Sequence, residues 1–560
     1  MVTKAIDYEV LHEQILAGEV PIPSVFTIRG RGYRRWLIHN KSPYEPELAK
    51  LLPRLRFDST LRPPTSYGFK GQGSGHTAVV SGSKEWQTTT NLGAGFSLNV
   101  IGAPAPVLGG PLGRHTQTAA EVGCDAMNWF KEGIIANPSA FILSLPGLGK
   151  STLVRKMLMA HVAQGHIPII AGDIKGEYVG FCHQVGGQVI TIGHGEGHIN
   201  PLDVGALGRI IPVLEDNKDV LISRGKQDLI ERAYEQVHGR QVTMVSTLVG
   251  LGRGEKIADW EAMLISAGLR ELYSRGDINW DHPPVVKDLI EVLEQGSPRL
   301  AYLGRARDTE SWNRRIDHLI LSLNSLLDGA TGKIFSGQTT TPIDVNAAAV
   351  CIDVSSIDRG DSVMKAAVMM ACWSAAFGAI EASHLLADAG LGRQRYFAAT
   401  LDEMWQVLSS APGMVAQVDA LTRLNRTDGT ALYMITHTFK DLEALPTEED
   451  RKTAMGFIER AGMVICGGLP TSELDILASR LEFSDAEAHM ITSWSRGAHL
   501  KRSRTTGAKP VPPGRGRFMI KPSKDGAPGI PVQTILLPSE IEYRLHDTNV
   551  RFDDFFMQGA

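Results

Sequence analysis

The chain has no CxxC pair, no apolar run of membrane-spanning length and no strong charge of either sign. Its five cysteines, Cys124, Cys182, Cys351, Cys372 and Cys466, are scattered and odd in number. That argues for a reducing compartment and against a zinc site. A net charge of -4, from 57 Lys and Arg against 61 Asp and Glu, gives no global field toward nucleic acid but allows a local basic face. The opening MVTKAIDYEVLHEQILAGEV is mixed polar and lacks the apolar block of a signal peptide. The most apolar helical stretch, AAVMMACWSAAFGAI at 366–380, lies between Lys365 and Glu381. Such a run falls short of the roughly 20 residues that cross about 30 Å of hydrocarbon. It reads as a core helix. The expectation is a cytoplasmic protein with no integral membrane segment, able to dock peripherally on a membrane complex.

What is present is a long chain, 560 residues and 43% hydrophobic, enough for about three to four domain-sized units. Residues 1–115 carry short apolar runs between turn clusters such as PPTSYGFKGQGSGHTAVVSGS and suggest a small β-rich or irregular domain. From about 120 the pattern alternates. FILSL (141–145), IPIIAGD (167–173), GQVITIG (187–193), AAAVCIDVS (347–355), YFAATLDE (396–403), ALYMITHT (431–438) and GMVICGG (462–468) read as strands among helical segments. This predicts an α/β fold with a mostly parallel sheet and helices on both faces. Between 205 and 345 the strands stop and KQDLIERAYEQV, ADWEAMLISAGLRELYS and RRIDHLILSLNSLLDG read as a helical insertion. The expected organisation is 1–115, a core in two parts at 116–204 and 346–540 around the insertion, and a tail at 541–560.

The chemistry concentrates at SLPGLGKST, 144–152, between FILSL and the helix KSTLVRKMLMAHVAQ. The phosphate-loop pattern G-x-x-x-x-G-K-[ST] fails here only at its first glycine, where Ser144 stands. Gly147 and Gly149 permit positive φ, so backbone N–H groups can turn inward around phosphate at a helix N-terminus. The nucleotide-binding set is Pro146, Gly147, Leu148, Gly149, Lys150, Ser151 and Thr152. Lys150 would reach the β/γ-phosphates and the Ser151 hydroxyl would ligate Mg²⁺, with Thr152 the next helix residue. The bland alternative is a strand-turn-helix with a surface lysine.

A second carboxylate strand is required, and LDEMW (401–405) supplies it. Asp402 would hold Mg²⁺ through its water and Glu403 would orient and deprotonate the attacking water. Asp353 also ends a strand but lacks a following acid, which makes it a supporting residue. Thr436 and His437 end ALYMITHT, where a polar group can sense γ-phosphate or simply close a turn. Asp173 and Glu177 in GDIKGEY face the sheet's carboxyl edge, or are solvated loop charges. His194 and His198 in GHGEGHINPLD are separated by a poor helix former, and metal binding is not expected there. Residues 496–524 carry nine cations and no acid among them. They read as a solvated hairpin, a DNA-contacting strip, or arginines projected into a neighbouring subunit's nucleotide. Arg423 and Arg426 in DALTRLNRTDG are the other arginine candidates.

In this order the segments resemble the conjugative-transfer ATPases of type IV secretion systems, the TraC/TraG-like group within the FtsK–HerA class of hexameric P-loop motors. The resemblance runs from about 118 to 540. It rests on NPSAFILSLPGLGKST, AGDIKGEY with GGQVITIG and INPLD, GKIFSGQTTTPIDVNAAAVCIDVSSI, TLDEMWQVL and GRGRFMIKPS. It implies a RecA-like P-loop NTPase core, ATP with Mg²⁺, and a homo-hexamer or lower oligomer at the inner face of a secretion channel. It also implies Lys150, Ser151, Asp402 and Glu403 as the hydrolytic set. The chain departs from the family at Ser144, at His437, where glutamine is usual, and in its short leading region. A soluble DNA translocase or coupling protein of the same class, and an ATP-binding assembly module without catalysis, are the alternatives.

Overall fold

The computed structural model describes residues 7–17, 19–21, 23, 27, 29–33, 36, 64–65, 68–69 and 106–546, less 194, 277, 359, 423–428, 498–511, 523–526 and 544. Before residue 106 the described residues include the helix Tyr8–Leu16 and a two-residue ladder of Pro64–Thr65 with Gly68–Phe69. The remainder is organised by one sheet of eleven strands. In chain order these are β1 Pro111–His115, β2 Glu121–Gly123, β3 Ser139–Leu143, β4 Ile167–Asp173, β5 Gln188–Thr191 and β6 Val350–Asp353. They continue with β7 Phe397–Leu401, β8 Thr430–Thr436, β9 Met463–Cys466, β10 Arg517–Lys521 and β11 Ile530–Thr534.

Across the sheet the order is β2-β1-β11-β10-β9-β3-β8-β7-β4-β6-β5. The strands from β9 to β5 all pair in parallel. From β9 outward β10, β11, β1 and β2 add on antiparallel. β1 precedes residue 116, so the core sheet takes in the end of the expected leading segment. The reason is pairing at long range: Gly113, Arg114 and His115 register against Thr534, Gln533 and Val532 of the C-terminal hairpin.

The central strands are buried on both sides, as the near-continuous apolar runs require. Along β3, Phe141 and Leu143 enter one core with Ile169, Ala171 and Ile352, whereas Ala140 and Ile142 enter the other with Ile170 and Cys351. Helix α1, Lys150–Ala163, lays Leu153, Val154, Met157 and Leu158 into the second core. The first is covered by helices between β5 and β7, including α2 Asp228–Arg253, α3 Asp259–Ser274, α4 Val286–Gln295, α5 Thr309–Leu327 and α6 Ser362–Ala389.

Helix α6 contains the apolar stretch at 366–380. Asp361 caps it by accepting from the Met364 N–H at 2.8 Å, and Gly390 ends it at φ 71°. It runs 28 residues, beyond the expected end, because EASHLLADA continues the helix past Glu381. By length and composition it could cross a membrane, yet 78% of its most apolar window is buried by the rest of the chain. Met369, Trp373 and Ala376 pack in the core shared with Ile169 and Ala171 of β4.

Candidate nucleotide site

Strands β3, β8 and β7 are adjacent and parallel, so their carboxyl ends deliver three segments to one edge. β3 delivers the loop 144–149, β8 delivers Thr436 and His437, and β7 delivers Asp402 and Glu403. β4, on the other side of β7, delivers the loop 173–178 to the same edge.

The loop from β3 to α1 holds Gly147 at φ 79° and Gly149 at φ 97°, the latter as the helix N-cap. A side chain at either would be strained, though a Cβ at Gly147 would meet nothing within 4 Å. The mouth of the loop is therefore open. Its back is closed by the turn before β10, where the Gly516 N–H donates to the Leu148 carbonyl at 2.8 Å. Ser144 is fully buried below this mouth, its hydroxyl 3.2 Å from the Leu145 carbonyl. It lies against Gly467 at the end of β9, where an added Cβ would fall 2.2 Å from the serine oxygen. Among the described non-glycine residues only Ala119, Arg305 and Glu403 have positive φ. The first position of the pattern therefore demands no glycine in this chain, and Ser144 spends its side chain on strand packing.

Lys150 is 7% exposed and its ammonium donates to the Thr436 carbonyl at 3.2 Å and to His437 Nδ1 at 2.9 Å. Burial lowers its pKa, an effect opposed by the charges of Asp402 and Glu403. The other nitrogen of His437, Nε2, lies 2.7 Å from Glu403 Oε1. Accepting at Nδ1 and donating at Nε2 requires the Nε2–H tautomer. One imidazole thus bridges the loop lysine and the proposed water-activating glutamate.

Glu403 is 2% exposed at φ 52°, ψ 34° and caps the short helix Met404–Leu408. A left-handed non-glycine residue costs on the order of 1 kcal/mol and marks a constrained site. The Trp405 indole N–H donates to its Oε2 at 2.7 Å, and Lys175 ion-pairs with its Oε1. Burial pushes the Glu403 carboxyl up, but hydrogen bonds from His437 and Lys175 outweigh it and hold the group well below the usual carboxylate range. Asp402 accepts from the Tyr178 hydroxyl at 3.1 Å and from the Glu403 N–H at 2.9 Å. Its pKa is raised by burial, partly offset by the Lys150 charge. The two adjacent acids are thus pushed apart.

Sequence reasoning missed Lys175, Tyr178 and Trp405. It weighed GDIKGEY only for its acids, although a lysine between two glycines beside a strand end was a legible signal. Asp173 turns out to organise that loop: its carboxylate accepts from the N–H groups of Lys175 (3.2 Å), Glu177 (3.1 Å) and Tyr178 (2.7 Å). Burial pushes its pKa to about 6 against those hydrogen bonds. Asp353 accepts from the Ser355 N–H at 3.0 Å and closes its own turn. Arg423 and Arg426 lie outside the described residues, as do His194, Lys501, Arg502, Arg504, Lys509 and Lys524. Of the other basic-run members, Lys521 is buried in an ion pair with Glu487, Arg517 donates to Gln533, and Arg496 and Arg515 are exposed. No group of three or more metal-ligating side chains occurs among the described residues.

The donors near the loop are hard oxygens, the Ser151 hydroxyl on α1 and the Asp402 carboxylate, a set suited to Mg²⁺. Together with an open loop mouth and a buried lysine, the residues present fit a nucleotide triphosphate with its metal.

No family model matches the chain. No curated protein matches it. Among solved structures it is similar to VirB4 of Thermoanaerobacter pseudethanolicus, at 20% identity and TM-score 0.55, over 78% of this chain and all (100%) of that one. It also aligns with the bacterial conjugative coupling protein TrwBdeltaN70 in complex with sulphate, at 13% identity and TM-score 0.43, over 78% of this chain and 96% of that one. A third is plasmid coupling protein TrwB in complex with ADP and Mg²⁺, at 12% identity and TM-score 0.40, over 78% and 98%. The first likeness is one of fold: this chain has a RecA-like P-loop core with a mostly parallel sheet.

Proposed function

We propose that this chain is an Mg²⁺-dependent ATPase motor that energises conjugative DNA transfer or type IV secretion. It works as a homo-hexamer on the cytoplasmic side of a secretion channel. The observation that carries the reading is the convergence of Lys150, Asp402 and Glu403 at one sheet edge, within hydrogen-bonding reach of each other through His437 and the backbone. The likeness in fold to VirB4 supports the biological setting.

The backbone of Pro146, Gly147, Leu148 and Gly149 cradles the phosphates, with Ser151 and Thr152 at the helix start. Lys150 leaves the Thr436 carbonyl and His437 to neutralise the β/γ-phosphates. Ser151 and Asp402 hold Mg²⁺, which when bound supplies neutralisation of phosphate charge. Glu403 orients the attacking water and accepts its proton. His437 keeps Glu403 in register with Lys150. Arg423 or Arg426 from a neighbouring subunit completes the charge stabilisation.

Phosphate release by the native chain, Lys150→Ala and Glu403→Gln tests this. Turnover lost in both variants, with ATP binding retained in Glu403→Gln, is the expected result. Equal slow release by all three would refute it. A soluble DNA translocase or coupling protein is the second reading, favoured by the exposed Arg496 and Arg515. ATP turnover that rises with duplex DNA and loses that rise with added salt would select it.

A further inference from the structure

Both oxygens of the Glu403 carboxylate are taken by protein donors. Oε1 accepts from Lys175 and from His437 Nε2, and Oε2 from the Trp405 indole. A carboxylate held this way is a poor base, because three of its roughly four lone-pair sites face donors and one of those donors is a full cation. Drawing that cation away raises the basicity of Glu403.

Of the three donors Lys175 is the one able to leave. Its side chain is 41% exposed, against 20% for His437, and Trp405 is held in the short helix Met404–Leu408 that Glu403 caps. It sits between Gly172 at φ 108° and Gly176 at φ 68°. Yet the loop backbone beneath it is fixed, since the buried Asp173 carboxylate accepts from the N–H groups of Lys175, Glu177 and Tyr178. The main chain is held while the side chain is free to swing.

Its destination is close. Lys175 Nζ is 3.2 Å from His437 Nε2, and Lys150 Nζ is 2.9 Å from His437 Nδ1. Two ammonium groups therefore flank a single imidazole ring at the mouth of the phosphate loop. Like charges brought this near repel unless an anion of more than one charge lies between them, and a terminal phosphate is such an anion.

Resting on the ATPase reading above, we propose that Lys175 is a positioning residue that exchanges between Glu403 and the terminal phosphate of bound ATP. With a triphosphate in the loop, Lys175 pairs with the γ-phosphate and Glu403 is released to accept from water. With a diphosphate there is no partner for Lys175, and it stays on Glu403. The chain thereby reads the difference between ATP and ADP and arms its base only for ATP.

The test is equilibrium binding of a non-hydrolysable ATP analogue and of ADP, both with Mg²⁺, to the native chain, Lys175→Ala and Lys175→Arg. Loss of one charge-assisted contact to phosphate should weaken analogue binding by Lys175→Ala about tenfold or more while ADP changes less than about twofold. Lys175→Arg should restore most of the discrimination. A second signature is coupling. Glu403→Gln, which frees Lys175 from its resting partner, should tighten the analogue in the native background and not in Lys175→Ala. A merely structural lysine would shift both nucleotides together and show no coupling; equal losses for analogue and ADP, or none for either, overturn the proposal. A native chain that neither binds nucleotide nor depends on Lys150 for turnover sinks the ATPase reading and this inference with it. Lys150-dependent turnover with unchanged discrimination in Lys175→Ala sinks the Lys175 role alone.

Discussion

Exchanging Ser144 and Gly467 tests why this phosphate loop tolerates a serine at its first position. A Cβ on Gly467 would lie 2.2 Å from the Ser144 oxygen, 2.7 Å from its Cβ and 3.3 Å from Phe518. The Gly467 backbone cannot retreat, because its N–H donates to the Leu143 carbonyl at 2.7 Å within the sheet. Gly467→Ala should therefore cost about 1–3 kcal/mol as overpacking. Ser144→Gly empties a small buried volume, gives up the contact with the Leu145 carbonyl and adds glycine's backbone entropy, for about 1–2 kcal/mol. In the double variant the alanine methyl occupies the space the serine leaves, with only the Phe518 contact to relieve. Its total cost should fall short of the sum of the single costs by about 1 kcal/mol or more. Urea unfolding midpoints of the four proteins measure this. Additive costs would refute the packing account. The same proteins carry a functional check: Ser144→Gly should leave ATP affinity within about twofold, since the hydroxyl faces β9 below the loop mouth, and a gain of tenfold or more, about 1.4 kcal/mol, would show that the missing glycine matters to phosphate.

Other outcomes are equally specific. Lys521, with a side chain 1% exposed, pairs with Glu487 at 3.2 Å. Lys521→Met should destabilise by about 3 kcal/mol by leaving a buried carboxylate without its cation, read as a lowered urea midpoint. His161 is fully buried beside Tyr433 and His166, and burial pushes its pKa down from 6.5 to about 4. A depressed histidine contributes stability above its unfolded value and loses it as pH falls from about 6.5 toward 4, roughly 3 kcal/mol in total. His161→Gln should flatten the pH dependence of the urea midpoint in that window; an unchanged slope would contradict it. Gly147→Ala meets open space and should cost only about 1 kcal/mol of stability, through its positive φ. It should nevertheless weaken ATP binding at least tenfold, about 1.4 kcal/mol, because the added methyl stands in the open space of the loop mouth where phosphate would enter.

Much of the core was readable before the structure. Strands with both faces covered appear as unbroken apolar runs, so FILSL, IPIIAGD and ALYMITHT marked β3, β4 and β8. The loop and LDEMW stood at strand ends where chemistry is delivered. Less was readable wherever the determining partner is distant in sequence. β1 is PLGRH, with a glycine and a proline, and its place in the core sheet rests on pairing with β2 and, more than 400 positions later, with β11. The end of α6 at Gly390 rather than near Glu381 accompanies burial of Leu385 and Ala389 in one cluster with Leu207 and Leu214, partners that lie far off in sequence. Lys175 belongs to the site because β4 pairs with β7 and its loop bends back over Glu403. In the sequence its only signal was its place between two glycines beside a strand end.

The most direct measurement is a structure of the chain with Mg²⁺ and a non-hydrolysable ATP analogue. The account predicts the β- and γ-phosphates against the 146–151 backbone, Lys150 moved from the Thr436 carbonyl onto phosphate, and the cation between Ser151 and Asp402. Nucleotide seated elsewhere, or Lys150 still donating to Thr436 and His437 with the analogue in place, would contradict it.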